Sequence, residues 1–290
     1  MTSPRLLITG GTGFIGGYLT SFFREQGYFV EAPKRQKLDL TDPQAVKSFV
    51  ERHQIDLILH SACEGVTAQT SLPDATIFTR NQRMFSSLNE ALPPHGRLIH
   101  LGSGAEYDKR FPIVQVDEST AETATPQDVY GRSKQWISQQ IETLPHALHL
   151  RLFGVYGVGE GSHRFITQAI QAQLNNEPIV IRKNVRFSYL WIDDLAKILQ
   201  RFIEMPPSER ILNVTPNESI TLVELAQLIQ AQSTTPSPLY IEQEGLQAEY
   251  TGSNLRLLNT LGDFRFTSYA EGVASLYSVL PDPKKIESIE

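Results

Sequence analysis

The chain has 290 residues, of which 40% are apolar, and a formal charge of -6. That length buries a sizeable core as one large α/β unit or two interleaved ones, and an acidic balance without any Lys/Arg-rich run excludes a footprint for phosphate backbones, so no nucleic-acid partner is expected. The single cysteine, Cys63, forms no intrachain disulfide, no Cys/His cluster has zinc spacing and no apolar stretch approaches the ~20 residues of a membrane helix; no metal, no membrane contact and a cytoplasmic location are expected.

Strand-length apolar runs alternate with helical-period segments from the start, the pattern of βαβ units. Residues 5–9 read as a strand, 13–26 as a helix stopped by Gly27, and 28–32 as a second strand. Thr41 with Gln44 gives a capping-box signal for a second helix. Residues 56–60 read as the third strand, and a helix over 74–92 ends at Pro93-Pro94, where amides are missing. A fourth strand at 97–101, a helix over 128–144 and a fifth strand at 149–153 complete the regular alternation.

Beyond Gly157 the order loosens. Helix is expected over 163–174, strand near 179–181, an apolar segment at 187–192 and helix from Asp193. Residues 211–214 read as strand, and Thr221/Glu224 and Ser268/Glu271 cap two further helices. The expected fold is therefore α/β: a Rossmann-type doubly wound parallel sheet over 1–157 with segments at about 185–215 returning to it, a smaller mixed substrate-binding region over 158–280, and a loose polar tail over 281–290.

Gly10, Gly13 and Gly16, with Thr12, Phe14 and Ile15 between them, follow the first strand and open a helix. A turn there needs positive φ, a pyrophosphate needs backbone approach without Cβ, and the helix N-terminus supplies amides. A dinucleotide site is expected in preference to a chance glycine-rich turn, with Asp39 and Leu40 near its adenine and Ala62 and Cys63 beside its ribose. Cys63 itself reads as a small buried hydrophobe, not a reactive thiol.

Tyr130 and Lys134 stand four residues apart, on one face of one helical turn. A phenol must lose about 3 pKa units, ~4 kcal/mol, to work near neutrality, and an ammonium ~4 Å away supplies about that at an effective dielectric of ~20. Gly102-Ser103-Gly104 ends the fourth strand, where open parallel sheets bind ligands. A solvated helix pair is the bland alternative, and that placement argues against it.

From about residue 5 to 280 the chain resembles the extended branch of the short-chain dehydrogenase/reductase family, the nucleotide-sugar epimerases, reductases and dehydratases. The glycine turn, Ser103 four residues before Tyr107, and Tyr130-Gly131-Arg132-Ser133-Lys134 carry the resemblance, with Leu150 to Gly157 and Arg186 to Leu195 as later matches. It implies that Ser103 hydrogen-bonds the reacting oxygen, that Tyr130 gives or takes its proton, and that Lys134 binds the nicotinamide ribose and lowers the tyrosine pKa. It also implies a homodimer built on the helices over 74–92 and 128–144, where Phe78, Met84, Phe85, Trp136, Ile137 and Ile141 offer apolar surface beyond one stripe.

Substrate-facing candidates are Ser103, Gly104, His163, Arg164 and Arg186. Arg186 is either a fork for the substrate diphosphate or a surface arginine. Gly154 stands where many relatives have Asn. Dehydratases and decarboxylases of the family carry carboxylates just after the catalytic hydroxyl residue, and double epimerases a Cys; here Gly104 and Ala105 fill those places, and Glu106, in an extended segment, faces away. His163, substrate-lining or capping, lacks a partner for two-base epimerisation.

A 4-ketoreductase and a 4-epimerase remain, with a cofactor-sensing binding protein as a third class that the intact Ser, Tyr and Lys disfavour. Lys34 and Arg35 occupy the end of the second strand, where a basic group accommodates a 2′-phosphate, while Glu31 is the acid that would mark NAD(H). NADP(H) and a 4-ketoreductase acting on a nucleotide-linked keto-deoxysugar are favoured.

Overall fold

A computed structural model describes residues 3–65 and 73–280; the expected tail over 281–290 lies outside the described residues. The chain begins with strand β1 (Leu6–Thr9), helix α1 (Phe14–Glu25), β2 (Val30–Glu31), α2 (Pro43–His53), β3 (Leu57–His60), α3 (Asp74–Ala91) and β4 (Arg97–Ser103). After a short 3-10 turn at Gly104–Glu106 come β5 (Ile113–Val116), α4 (Val129–Ile141), β6 (Ala147–Leu152) and β7 (Gly154–Tyr156). Then follow α5 (Phe165–Asn175), β8 (Ile179–Asn184), β9 (Arg186–Phe187), β10 (Tyr189–Trp191), α6 (Ile192–Glu204), β11 (Ile211–Val214) and β12 (Ile220–Thr221). The last elements are α7 (Leu222–Gln230), β13 (Leu239–Leu246), β14 (Tyr250–Gly252), α8 (Leu255–Leu261) and α9 (Tyr269–Val279).

The main sheet is wholly parallel, in the order β11-β6-β4-β3-β1-β2. Its strands are covered on both faces, so successive residues divide between two cores. Leu6, Ile8, Leu57, Leu59, Ile99 and Leu150 pack with α1 and α6. Leu7, Ile58 and Leu98 pack with α2, α3 and α4 through Val46, Phe85, Leu88, Ile137 and Ile141. Chain order reverses between β1 and β3, the switch point at which such sheets bind ligands outside their carboxyl ends.

Helix starts are set locally. α2 is capped by Asp42, whose carboxylate accepts from the Gln44 and Ala45 amides with Pro43 in the first turn, so the cap falls one residue after Thr41. Asp128 caps α4 through the Gly131 amide, which places Tyr130 in the first turn and Lys134 one turn on. The expected boxes at Thr221/Glu224 and Ser268/Glu271 both form.

The C-terminal part is assembled differently. β12, β9, β14 and β5 form a small sheet, β10 pairs with β7, and β13 with β8. A separate core joins Ile166, Ile170, Ile179, Leu225, Ile229 and Val273 beneath α5, α7 and α9. Of the segment over 185–215, β11 joins the main sheet beside β6 and α6 packs on its face, while β9 and β10 pair elsewhere. No helix among the described residues is long and apolar enough to cross a membrane.

Candidate active site

The turn after β1 is a cradle with no room for side chains. Gly10 has φ +73°, and a Cβ on it would lie 2.9 Å from the Ala62 nitrogen. A Cβ on Gly16 would lie 2.3 Å from the Gly10 carbonyl oxygen, so α1 can approach the turn only with glycine there. The cradle opens on a cavity of about 500 Å³ lined by Gly10, Thr12, Gly13, Phe14, Ile15, Gly16, Lys34, Arg35, Asp39, Leu40, Ala62 and Cys63. The residues expected at the glycine turn, the adenine and the end of β3 therefore line one cavity, whose donor set fits a dinucleotide, while Tyr130 and Lys134, expected at the nicotinamide ribose, line the cavity beside it.

Arg80 and Glu64 also line that cavity without having been expected there, and Asn81 supports them from behind. Arg80 donates through Nε to Glu64 Oε1 at 2.8 Å, and Arg35 pairs with the same oxygen at 3.1 Å, so three cations gather at the end of β2. Glu31 is turned the other way, 2.9 Å from His53 Nδ1, and does not line the cavity. Asn81 donates to the Glu64 carbonyl and to Ser133 Oγ and accepts from the Glu64 amide, tying the segment after β3 to α4. A buried polar residue at the core-facing position of α3 was the available signal.

A second cavity, about 350 Å³, adjoins the first through shared walls at Phe14, Ile15, Ser61 and Cys63. Ser103, Tyr130, Lys134, His163 and Arg164 line it. Ser103 accepts from the Ala105 amide at 3.1 Å, and its side chain stands close enough to the Tyr130 phenol to favour the ionised form. Cys63 is exposed at the junction of the two cavities, which corrects the expectation of a buried hydrophobe: strand β3 has ended three residues earlier, and the chain there lies at the mouth of the cleft.

The electrostatics differ from the simple picture of an ammonium drawing down a phenol. Burial pushes the Tyr130 phenol up, Cys63 adds to the shift, and Ser103 only partly offsets it. Lys134 Nζ instead donates to the Leu101 carbonyl at 2.8 Å and contacts His100 Nε2 at 3.1 Å, and it stands 5.8 Å from the centre of the Tyr130 ring. Burial also pulls Lys134 below its ordinary range, against opposing pulls from Cys63 and Glu106. Desolvation therefore outweighs the pair attraction on which the expected lowering of Tyr130 rested.

Glu106 faces away from the cavity, but not because the segment is extended. It closes the 3-10 turn, is fully buried, and receives the Ser103 amide at 2.9 Å. Tyr250, from β14, is another residue that the sequence did not reveal: its hydroxyl comes to the Ser103-Gly104 corner, where a Cβ on Gly104 would lie 2.7 Å from it. Gly154 is filled over by Tyr189, whose Cδ1 would lie 2.9 Å from an added Cβ, so no larger side chain fits without moving that ring.

Arg186 is not brought to the site. Its guanidinium donates to the Ser219 carbonyl at 3.0 Å and lies 3.5 Å from Glu224, and it lines neither cavity. The pairing of β9 with β12 holds it there. Among the described residues, no group of three or more His, Cys, Asp and Glu side chains could hold a metal ion.

Similar proteins are known from sequence and from solved structures of the same fold. The chain is 29% identical over 228 residues, 77% of its length and 75% of the relative's, to a probable dTDP-4,6-dihydroxy-2-methyloxan-3-one 4-ketoreductase of Streptomyces antibioticus. It is 25% identical over 298 residues, 94% of its length and 97% of the relative's, to a GDP-6-deoxy-D-talose 4-dehydrogenase of Aggregatibacter actinomycetemcomitans. A UDP-glucose 4-epimerase of Thermotoga maritima superposes with a TM-score of 0.79 at 19% identity, covering 99% of this chain and 100% of that one. The GDP-mannoheptose C4 reductase of Campylobacter jejuni gives 0.80 at 15% identity, covering 96% and 98%. The NAD dependent epimerase/dehydratase family model matches residues 6–215, the span that builds the glycine cradle, Ser103, Tyr130 and Lys134, and the chain belongs to that family.

Proposed function

We propose that the chain is an NADPH-dependent reductase of a keto group on a nucleotide-linked deoxysugar, a 4-ketoreductase. The observation that carries it is the state of the substrate-side cavity. Its one lining carboxylate among the described residues, Glu160, has both oxygens engaged, one by Arg164 Nε at 3.2 Å and the other by Thr167 Oγ1 at 3.0 Å. No free carboxylate stands there for elimination, and His163, the lining imidazole, has no second base opposite it for proton exchange at a neighbouring carbon. What remains is chemistry at one carbon and its oxygen.

A bound nicotinamide dinucleotide supplies the hydride. The chain's own groups do the rest. The Ser103 hydroxyl orients the substrate oxygen, and Tyr130, kept protonated by its burial, rests in the form of a proton donor. Lys134 holds positive charge beside the phenol as the proton leaves. A phenol resting as an acid suits reduction of a ketone, and relatives named as 4-ketoreductase and dTDP-4-dehydrorhamnose reductase support the same direction.

The three cations at the end of β2, with Glu31 turned to His53, support NADP(H) over NAD(H). Titration should show NADPH binding tighter than NADH by about tenfold or more, ~1.4 kcal/mol, with the gap closing in Lys34→Ala/Arg35→Ala. Turnover of 4-keto-6-deoxy nucleotide sugars with added NADPH, read by product mass, tests the reaction. Co-purified dinucleotide with interconversion of 4-hydroxy epimers, and no net consumption of NADPH, would instead identify a 4-epimerase.

A cytoplasmic homodimer on α3 and α4 is proposed with it. Met84, Phe85, Ile137 and Ile141 are buried within the chain itself, so Phe78 and Trp136 are the apolar residues left to a partner. Light scattering at micromolar concentration should give twice the chain mass.

A further inference from the structure

Three histidines share one rung of the main sheet. His60 pairs in register with His100, and His100 with His149, so their rings stand side by side on the face covered by α3 and α4, with centres 5.2 and 4.9 Å apart. All three are buried, as are Glu106 and Arg151. From Lys134 a continuous chain of contacts runs inward: Lys134 Nζ to His100 Nε2 at 3.1 Å, His100 Nδ1 to His149 Nδ1 at 2.9 Å, and His149 Nε2 to Glu106 Oε1 at 2.8 Å. Arg151 Nε closes it on Glu106 Oε2 at 2.7 Å. Gly102 makes the contact possible, because a Cβ there would lie 2.2 Å from His149 Nε2 and 2.7 Å from Glu106 Oε1.

The direction of every hydrogen bond in this chain follows from its inner end. Glu106 faces Arg151 and the Ser103 amide, groups that can only donate, so it must be an acceptor and ionised. His149 therefore donates through Nε2, and as a neutral ring it presents a bare Nδ1. His100 must donate to that atom through its own Nδ1, which leaves its Nε2 bare toward Lys134. Reversing the order would set an N–H of His100 against the ammonium and a bare His149 nitrogen against a carboxylate. The inner end does not reach water, so the chain is not a conduit to solvent. It holds one proton arrangement.

We propose that His100, His149 and Glu106 are positioning residues for Lys134: a tautomer-locked chain that keeps a hydrogen-bond acceptor against its ammonium, so that the wholly buried amine stays protonated and aimed. Around Lys134 stand Tyr130 on its own helix, His60 from β3 and Cys63 after it, His100 from β4, Glu106 from the 3-10 turn, and His149 and Arg151 from β6. Of these His100 is the one that touches Nζ. Burial holds His60, His100 and His149 below the ordinary imidazole range, in keeping with neutral rings.

The test has two arms, of which only the second rests on the reductase reading. In the full chain labelled with 15N-histidine, NMR from pH 6 to 9 should find His100 neutral with its proton on Nδ1 and His149 neutral with its proton on Nε2; the opposite tautomer or an imidazolium at either ring overturns the proposal. In the second arm, His100→Phe should move the alkaline limb of the reduction rate down by one pH unit or more, because the ammonium loses an acceptor. His100→Gln, whose amide oxygen can accept from Lys134, should restore it, and Glu106→Gln should shift it in the same direction by less. A uniform loss of rate with unmoved limbs would mean a merely structural role and overturn the proposal. If the wild type reduces no keto sugar, the functional reading fails and the tautomers alone decide; they also decide if a variant does not fold.

Discussion

Six parallel strands and a glycine cradle hold the first cavity, whereas behind the Ser103 end of the second lies a small mixed sheet drawn from Ile113–Val116, Arg186–Phe187, Ile220–Thr221 and Tyr250–Gly252, of which Tyr250 reaches Gly104. On the first side the positions are dictated by backbone sterics: Gly16 has 2.3 Å of room, and no other residue fits. On the second they depend on side chains meeting across more than a hundred residues of chain, as Tyr250 does at Gly104. One side is specified by local rules and the other by long-range pairing, and Ser103 stands where they meet.

The largest expected effect tests the shared centre. Tyr130→Phe should lower turnover by at least ~10²-fold while leaving dinucleotide affinity within a few-fold, since the hydroxyl is a proton donor and not an anchor. Lys134→Ala should weaken both. Retention of more than about a tenth of the rate by Tyr130→Phe, in steady-state assays, would remove Tyr130 from the acid/base role.

That contrast also explains what could be read in advance. β1, β3, β4 and β11 came within two residues of their expected bounds because buried parallel strands are unbroken apolar runs. Ser103, Tyr130 and Lys134 were legible because their spacing is fixed by one strand end and one helical turn. β5, β12 and β14 were not, since they are short and lack the unbroken buried apolar run of the parallel strands, and Tyr250 was lost with β14. Arg80 and Asn81 sit on a helix whose apolar stripe was recognised, but nothing local shows that their polar heads reach Glu64. Burial also reversed a sign: a pairwise attraction between Lys134 and Tyr130 was countable from spacing, and the desolvation that exceeds it was not.

Gly104→Ala probes the seam itself. The new methyl would lie 2.7 Å from the Tyr250 hydroxyl and 2.9 Å from Phe153 Cδ1, so the substrate side must give way while the cradle is untouched. Overpacking of this kind costs ~1–3 kcal/mol. A rise of about tenfold in KM for the keto sugar, ~1.4 kcal/mol, is expected with the dinucleotide Kd unchanged within twofold. Equal losses for both ligands would show that the two sides are not separately specified.

The interior of the sheet makes a prediction about pH. Burial holds His60 neutral in the fold down to about 3, against 6.5 in the unfolded chain. The unfolded state therefore binds the extra proton, and stability is lost as pH falls below 6.5. By pH 5.5 His60 alone accounts for about 1.4 kcal/mol relative to pH 8, and His100 and His149 act in the same direction. Urea unfolding should show this decline well above the carboxylate range; a flat profile from pH 8 to 5.5 would mean that the rung is not buried and neutral.

The smallest effect is expected at Arg186, where family resemblance and geometry point different ways. Resemblance assigns it to the substrate diphosphate. In the structure its side chain is 29% exposed, bonded to the Ser219 carbonyl and 3.5 Å from Glu224, a half-exposed acid that also caps α7. A pair so exposed is worth ~1 kcal/mol or less. Bidentate recognition of a phosphate would require the guanidinium to leave both partners and cross to a cavity that it does not line. Arg186→Ala should therefore change KM for the nucleotide sugar by no more than about twofold, with a loss of stability under ~1 kcal/mol, because Arg164 is the arginine that lines the substrate-side cavity. Arg164→Ala is the matched control and should raise KM more than Arg186→Ala does. If the order is reversed, with Arg186→Ala raising KM tenfold or more at unchanged stability, then the substrate recruits β9, and the small sheet that carries Tyr250 closes on the ligand as one unit.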